Sequence, residues 1–238
     1  MVYELKFYVS TPVILEAPLH LDGLLSSTHP YATQRGTSLS KYSSITEIKS
    51  APLCIDSARI DDARVWCCSA GRFDPNAQDF YSEAFIKATS DSDLYYLHLV
   101  HAPRSGVTKD IMQTIRGKVC EYVTFLFSSS NPYEVSRAAK RVRALGSFRR
   151  MGYGAVKSFE LNETSKDWRE CLIYNGCANR NLPAELIQTT CDRLVCTAPP
   201  YWLPDNLMPG VPFGEECELK DEIYLKIMKR RSSAAAGG

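Results

Sequence analysis

The first residues of the chain alternate between apolar and polar side chains, which is the pattern of a half-buried β-strand. Within Val2–Leu15, apolar or aromatic side chains occupy every second position at Tyr3, Leu5, Phe7 and Val9. The alternating side chains are polar or amphipathic, so one face of this strand is expected to pack on a core and the other to meet solvent. The pattern predicts an N-terminal strand.

Further along the chain the pattern predicts one short helix and then several strands. The segment LHLDGLLSS after Pro18 has the spacing of a short helix, whereas residues 30–52 are rich in serine and threonine and predict a loop. Four strand-like runs follow in the order PLCIDSARI, ARVWCCSAG, DLYYLHLVH and KVCEYVTFLF. The polar segment RSGVTKD separates the last two of them. The middle of the chain is therefore predicted to be rich in β-structure.

A second helix is predicted directly after KVCEYVTFLF. Asn131 stands at its cap, Pro132 at its first position and Glu134 in its first turn, all of which are helix-start signals. An apolar stripe at helical spacing follows, formed by Val135, Ala138, Ala139, Val142 and Leu145. Gly146 is placed to end the helix. The helix is thus expected to extend almost to Gly146.

The order of these elements predicts the fold class. A strand, a helix, a glycine loop and a strand form the second half of a ferredoxin-like (RRM-like) βαββαβ unit, and the N-terminal strand with LHLDGLLSS supplies the first half. We predict an α+β fold with a ferredoxin-like domain at residues 1–161 and an inserted β-rich region at about 30–117. Residues 162–230 are expected to form a proline-punctuated C-terminal extension packed on this domain, and residues 231–238 a disordered tail or linker.

Composition limits the classes of protein to which the chain can belong. Its 238 residues are 45% hydrophobic and 23% charged, which is typical of a soluble globular protein. The formal net charge is +1, so nucleic-acid binding would have to come from a local patch. No apolar run approaches the roughly 20 residues that a membrane-spanning helix needs, and the start lacks the shape of a signal peptide. We expect a cytoplasmic protein that does not contact a membrane.

The nine cysteines favour free thiols over a disulfide framework, because their number is odd and no export signal is present. An alternative is a zinc site formed by Cys171, Cys177, Cys191 and Cys196. Structural zinc usually requires pairs two to four residues apart, and the first two of these cysteines are farther apart than that. Small buried side chains are the preferred interpretation. No metal or cofactor is predicted.

One stretch of the chain carries charge of a single sign. Between Val135 and Phe159 there are seven cations and no carboxylate: Arg137, Lys140, Arg141, Arg143, Arg149, Arg150 and Lys157. Solvated helix faces usually mix signs, so this patch favours phosphate binding. Gly146, Gly152 and Gly154 would let the backbone approach a ligand, and Tyr153 could stack on an unpaired base. The alternative is a solvated helix end followed by a flexible turn.

The glycine-rich loop in this cationic stretch, which ends in Gly-Tyr-Gly, resembles the signature loop of the RAMP superfamily of CRISPR proteins. Between Ala17 and Trp202, six segments resemble one branch, the small type IV effector subunit that caps the guide-RNA backbone at its 5′ end: APLHLDGLL, RVWCCSAG, RSGVTKD, RMGYGAV, ANRNLP and PPYW. The segment ANRNLP has Asn181 where this branch is expected to have proline.

The resemblance implies a non-catalytic subunit of a type IV CRISPR ribonucleoprotein that binds the 5′ repeat tag of the crRNA and supports RNA-guided DNA targeting. Its partners would be the crRNA, the repeated backbone RAMP subunit, the large subunit and, through the assembled complex, target DNA. A thumb from the middle insertion would brace the neighbouring backbone subunit. Here that thumb would be RSGVTKD, with Arg104 and Lys109 as RNA contacts; a plain surface loop is the alternative.

Two other functions stay open. Relatives in the same superfamily are endoribonucleases that process CRISPR repeat RNA and commonly use histidine as a general acid or base. The chain has His20, His29, His98 and His101, of which His20 lies near Asp22. A scaffold that never contacts RNA is the third class, and the patch of single sign disfavours it. The preferred expectation includes no catalytic residue.

Overall fold

The structure, a computed structural model, describes residues 1–28, 54–87, 111–188, 191, 193–199, 201 and 206–227. In chain order its elements are β1 (Val2–Val9), α1 (Leu21–Thr28), β2 (Ser57–Ile60), β3 (Ala63–Trp66), β4 (Arg72–Phe73), β5 (Gln78–Lys87), β6 (Ile111–Val119), β7 (Tyr122–Ser128), α2 (Pro132–Ala139), β8 (Val156–Thr164), β9 (Ile173–Tyr174), β10 (Cys177–Ala178), β11 (Leu182–Pro183), β12 (Leu194–Cys196), β13 (Leu207–Val211) and β14 (Tyr224–Lys226), with 3-10 turns at Arg149–Met151, Trp168–Cys171 and Ala184–Leu186. The described part thus combines two short helices with many antiparallel strands, which is compatible with the α+β class.

The largest sheet has four strands in the order β4-β7-β1-β8, and every neighbouring pair is antiparallel. Leu5 on β1 stands opposite Phe125 on β7 and Leu161 on β8, so apolar side chains of three strands share one face. This face arises from the alternation in the sequence, because successive side chains of a strand point to opposite sides. The sheet therefore has one apolar face and one mixed face.

Both helices cover the apolar face of this sheet. Leu21, Leu24 and Leu25 of α1 and Val135 and Ala139 of α2 belong to the same buried cluster as the apolar side chains of β1 and β7. Each helix presents apolar residues three or four positions apart, which is the spacing of one helix face. The main core thus lies between one sheet and two helices.

A second core joins the mixed face to the C-terminal part of the chain. Val2 and Leu126, at one end of that face, pack in a cluster with Leu172, Leu186 and Ile223 from beyond β8. The last strand, β14, pairs with β2, which in turn pairs with β3. The C-terminal part therefore packs back onto the sheet and the middle of the chain. The predicted domain boundaries stay a prediction; the structure adds that β4, inside the predicted insertion, belongs to the main sheet.

Several predicted elements are confirmed, among them the N-terminal strand, the helix at LHLDGLLSS and the strands within PLCIDSARI and ARVWCCSAG, which pair as β2 and β3. Helix α2 begins at Pro132 as predicted, although the Asn131 side chain makes no capping bond. The segments DLYYLHLVH and RSGVTKD and the predicted loop at 30–52 lie outside the described residues.

Three predicted boundaries are wrong. The first strand ends at Val9 and not at Leu15, and KVCEYVTFLF is divided between β6 and β7. The division falls at Cys120-Glu121, where the chain passes from the β5–β6 hairpin to the main sheet and the Glu121 amide donates to the Asp74 carboxylate at 2.7 Å. Helix α2 ends at Ala139. Its predicted last residues bond elsewhere, since Val156 N donates to Arg143 O and Leu145 N to Gly154 O.

A buried ion pair ties the N-terminal and C-terminal parts of the chain together. The Arg180 guanidinium lies 3.0 Å from Asp22 in α1, and both side chains have 0% exposure. The same guanidinium donates to the carbonyl oxygens of Trp66 at 2.7 Å and Thr197 at 2.9 Å. Burial alone would lower the pKa of Arg180, but Asp22 and neighbouring groups outweigh it and raise that pKa. Arg180 is therefore a charged residue inside the protein.

Tyr201 completes this buried network. Its hydroxyl accepts from Arg180 at 2.6 Å and lies 2.8 Å from an Asp22 carboxylate oxygen. Its ring stacks on the His20 ring with a centroid separation of 4.3 Å. Neither His20 nitrogen has a hydrogen-bond partner among the described residues, and burial beside Arg180 lowers the pKa of His20 to about 3. His20 is thus held neutral at physiological pH.

We expect Arg180→Met and Asp22→Asn each to lower the free energy of unfolding by about 3–5 kcal/mol, because either change leaves a buried polar partner uncompensated. Urea unfolding measures this loss. Arg193→Ala is the matched control, since Arg193 pairs with Glu215 at the surface and its loss should cost at most about 1 kcal/mol. If both core variants lost as little free energy of unfolding as the control, the buried pair would not be important for stability.

His20 should make the protein less stable in mild acid. The unfolded chain takes up a proton at His20 near its ordinary pKa of 6.5, whereas the folded chain resists protonation until about pH 3. The free energy of unfolding should therefore fall as the pH drops from 6.5 towards 3, by at most about 1.4 kcal/mol per pH unit from this residue. His20→Phe keeps a ring against Tyr201 and should flatten this dependence; parallel curves for both proteins would contradict the prediction.

Candidate nucleic-acid interface

The cationic stretch lies mainly on the loop that joins α2 to β8. Backbone bonds close this loop at its base: Leu145 N donates to Gly154 O at 2.8 Å, and Val156 N donates to Arg143 O at 2.9 Å. The residues between them form a compact apex rather than an open connection. The structure thus places the predicted glycine loop on a defined base.

The segment that follows β1 fixes the loop to the rest of the protein. Ser147 N donates to Ile14 O at 2.7 Å, and Gly154 N donates to Pro12 O at 2.8 Å. The Thr11 hydroxyl accepts from Ala155 N and donates to the carbonyl oxygen of Gly152, both at 2.8 Å. Thr11 is a positioning residue that sequence reasoning missed, because a single threonine after a strand gives no signal.

At the apex, two arginines stand on a 3-10 turn. Phe148 precedes the turn with a φ of 54°, and Gly152 follows it with a φ of 89°, so both ends lie in the left-handed region. Arg149, Arg150 and Met151 form the turn and are exposed. The geometry holds two neighbouring guanidinium groups at the surface on an ordered backbone.

The three glycines of the loop have different roles. Gly152 is exposed, and a Cβ built on it would meet nothing within 4 Å. Gly154 is buried, and a Cβ there would lie 2.0 Å from the carbonyl oxygen of Leu145; at Gly146 it would lie 2.1 Å from that of Ile14. Gly146 and Gly154 therefore allow two backbone segments to pack closely, which differs from the ligand approach expected for them. Gly152 retains the geometry that such an approach requires.

Six of the seven predicted cations are exposed and form no ion pair with another described residue: Lys140, Arg141, Arg143, Arg149, Arg150 and Lys157. Arg137 differs, because it pairs with Glu134 at 3.1 Å. Glu134 lies one residue before the carboxylate-free stretch Val135–Phe159, so that stretch alone does not contain the i,i+3 partner of Arg137. The remaining six still give the sequence stretch a single sign of charge, but the exposed Glu16 carboxylate lies beside it and accepts from the Ser147 hydroxyl at 3.2 Å.

Tyr153 packs against the β5–β6 hairpin. Its ring centroid lies 5.9 Å from that of Phe80 on β5, with an interplanar angle of 58°, and the residue is half-buried. Part of the ring predicted to stack on a base is therefore already in contact with the protein. The thumb residues Arg104 and Lys109 lie outside the described residues.

Of the four histidines considered for ribonuclease chemistry, His20 is within the described residues, whereas His29, His98 and His101 are not. His20 has an exposure of 3% and stacks on Tyr201. A general acid or base must reach its substrate, and a histidine buried in this way does not. His20 is therefore a core residue.

The cysteines lie within the described part of the chain, and none of them forms a disulfide. Burial raises the pKa of the Cys67, Cys68 and Cys171 thiols, so these groups are protonated at physiological pH. No group of three or more His, Cys, Asp or Glu side chains among the described residues could hold a metal ion. Nor is any helix in the described ranges long and apolar enough to span a membrane.

No protein-family model matches the chain, and no curated protein matches it.

The distinction between the glycines predicts unequal effects on stability. Gly154→Ala should cause a large loss of thermal stability, because the new methyl group cannot occupy the space of the Leu145 carbonyl. Gly152→Ala should cost on the order of 1 kcal/mol, from backbone strain alone. Gly214→Ala is the matched control, since Gly214 also has a φ of 89° and open space around it. Equal melting temperatures for the variants at 152 and 154 would disprove the assignment.

Proposed function

We propose that the chain is a non-catalytic RNA-binding subunit whose α2–β8 loop contacts the phosphates of RNA. Five exposed cations on an anchored loop, together with Lys157 at the start of β8, carry this proposal. Arg149 and Arg150 stand side by side, and a guanidinium offers phosphate a planar set of donors. Cations of one sign repel each other, so the arrangement costs stability unless an anion binds there. Gly152 is open and in the left-handed region, so no side chain keeps a ligand away from the turn, although its own N–H donates to Arg149 O and its carbonyl oxygen accepts from Thr11.

The strand order supports a ferredoxin-like fold as part of this proposal. The core elements follow the order β1-α1-β4-β7-α2-β8, which reads βαββαβ. Within the sheet, β7 lies between β1 and β4, and β1 lies between β7 and β8. Each helix connects two strands that are separated in the sheet by one other strand, as in a split βαβ unit. RNA-binding domains with four-stranded sheets commonly have this design.

Contacts between distant segments support the more specific resemblance. LHLDGLL, RVWCCSAG, ANRNLP and PPYW contribute Asp22, Cys68, Arg180 and Tyr201 to one buried network. Segments that resemble a family in order along the chain thus also meet in space. We therefore propose a type IV CRISPR ribonucleoprotein subunit that caps the backbone and holds the 5′ repeat tag of the crRNA. Its partners would be the backbone RAMP subunit, the large subunit and, through the complex, target DNA in the cytoplasm.

Arg149→Ala combined with Arg150→Ala should weaken binding of single-stranded RNA and reduce its salt dependence. Each lost phosphate contact lowers the slope of log affinity against log salt by about 0.7 for a single strand. The melting temperature should hardly change, because both arginines are exposed. Titrations of labelled RNA at several salt concentrations measure both quantities.

Arg193→Ala combined with Lys226→Ala removes the same charge from exposed positions elsewhere and serves as the control. Equal slopes for the loop variant and the unmodified protein would refute the proposal. The specific function is tested by sequencing the RNA that co-purifies with the chain, which should be a discrete small RNA with one 5′ sequence. Cleavage of repeat RNA that depends on His29, His98 or His101 would instead favour the endoribonuclease.

A further inference from the structure

The mixed face of the main sheet carries a group of tyrosines at the end that the second core leaves uncovered. Tyr122 on β7 stands opposite Tyr8 on β1, and Tyr8 stands opposite Ser158 on β8. The two rings lie 5.9 Å apart at an angle of 69°. Both tyrosines are only half-buried, whereas Leu126 at the other end of the face is fully buried in the second core. The tyrosine end is thus open to a ligand.

Cations stand over two tyrosine rings, Tyr122 on this face and Tyr174 on β9 beside it. The Lys6 ammonium lies 4.4 Å from the centroid of Tyr122. The Arg72 guanidinium lies 3.7 Å from the centroid of Tyr174, whose ring also has Lys166 at 5.0 Å. Such cation–ring pairs hold both partners in place and keep the positive charge near the surface. The face therefore combines aromatic rings with cations, and a base that stacks on this side of Tyr122 would take the place of the Lys6 ammonium.

Carboxylates share this face and restrict how a nucleic acid could lie on it. Glu160 accepts the Tyr8 hydroxyl at 3.0 Å, and Glu4 is half-exposed two positions before Lys6. They would repel phosphates placed directly over the strands, but a carboxylate can accept from the amino group of a base. The arrangement suits the bases of a strand better than its phosphates.

The cationic loop adjoins the same end of the sheet. Ser10 N, two residues after Tyr8, donates to Ala155 O at 2.9 Å at the base of the loop, and Val9 pairs with Val156. Lys157 is exposed next to Ser158, the cross-strand partner of Tyr8. Phosphates held by the loop would therefore place the next nucleotides beside the tyrosines.

We propose that the open end of this face binds unpaired RNA bases by stacking on Tyr8 and Tyr122, with the strand continuing from the cationic loop. The inference rests on the proposed RNA-binding function and assigns it a second contact area of different chemistry. Aromatic rings bind single strands with little regard to sequence, because every base has a flat face. The loop would supply charge, and the sheet would distinguish unpaired from paired RNA.

The test compares Tyr8→Leu and Tyr122→Leu with the unmodified protein, using short single-stranded oligouridine as the probe. Each variant should bind roughly tenfold more weakly, because one base loses its stacking partner. The salt slope should stay unchanged, since stacking releases no counterions, whereas the arginine variant of the loop lowers it. Binding of an RNA duplex of the same length should not respond to the tyrosine changes. A failure of this inference is therefore distinguishable from a failure of the loop proposal.

Tyr8→Phe and Tyr122→Phe retain the rings and should retain affinity; Tyr224→Leu, at an exposed tyrosine on β14, controls for loss of a surface ring. Unchanged binding in both leucine variants, or an equal loss in the phenylalanine variants, would overturn the inference. Should the leucine variants fail to fold, photocrosslinking of 4-thiouridine RNA to the unmodified protein decides. Crosslinks at Tyr8 or Tyr122 support the inference, and their absence from both overturns it.

Discussion

The buried pair of Asp22 and Arg180 is the interaction on which the rest of the structure depends. A charge removed from water is tolerated only when partners replace its hydration, and Arg180 has them in a carboxylate, a phenol and several carbonyl oxygens. These partners come from the first helix, the middle of the chain and the C-terminal part. Each must be correctly placed for the charge to be satisfied, so the network selects one arrangement of the three regions. Apolar packing alone would specify that arrangement less strictly.

The buried pair is connected to the candidate interface through α1 and the main sheet. Helix α1 and strand β1 share a core, and the segment after β1 holds the cationic loop by backbone bonds. The loop can therefore carry five exposed cations without losing its shape, because its position depends on backbone bonds and on close packing at Gly154. Exposed side chains supply the positive charge of the loop, whereas backbone bonds and glycine packing determine its shape. With this separation, the proposed binding of an anion at this surface would require no refolding.

Periodicity predicted the elements whose residues face one core, such as β1, α1 and the start of α2. Periodicity failed at Arg143 and Leu145, where tertiary hydrogen bonds compete with the local preference for helix. The backbone groups of these two residues bond to Val156 and Gly154 on the other side of the loop, so the helix ends early. Composition pointed to the cations of the candidate site, which stay a prediction, but not to Thr11 or to the packing roles of Gly146 and Gly154, which depend on distances between segments. The burial of Arg180 could not be predicted either, because nothing in the sequence distinguishes it from the exposed arginines.

The separation of Asp22 and Arg180 along the chain, 158 residues, has a consequence for the order of folding. During synthesis the first strand and helix emerge long before Arg180 and Tyr201 exist. Until then Asp22 has no guanidinium to pair with, and burying its carboxylate would be unfavourable. The early part of the chain is thus expected to wait in a loosely packed state, because contacts between distant residues form late. Completion of the core is thereby coupled to translation of the region that contains Arg180 and Tyr201. Folding of the N-terminal part thus depends on a region that is far away along the chain.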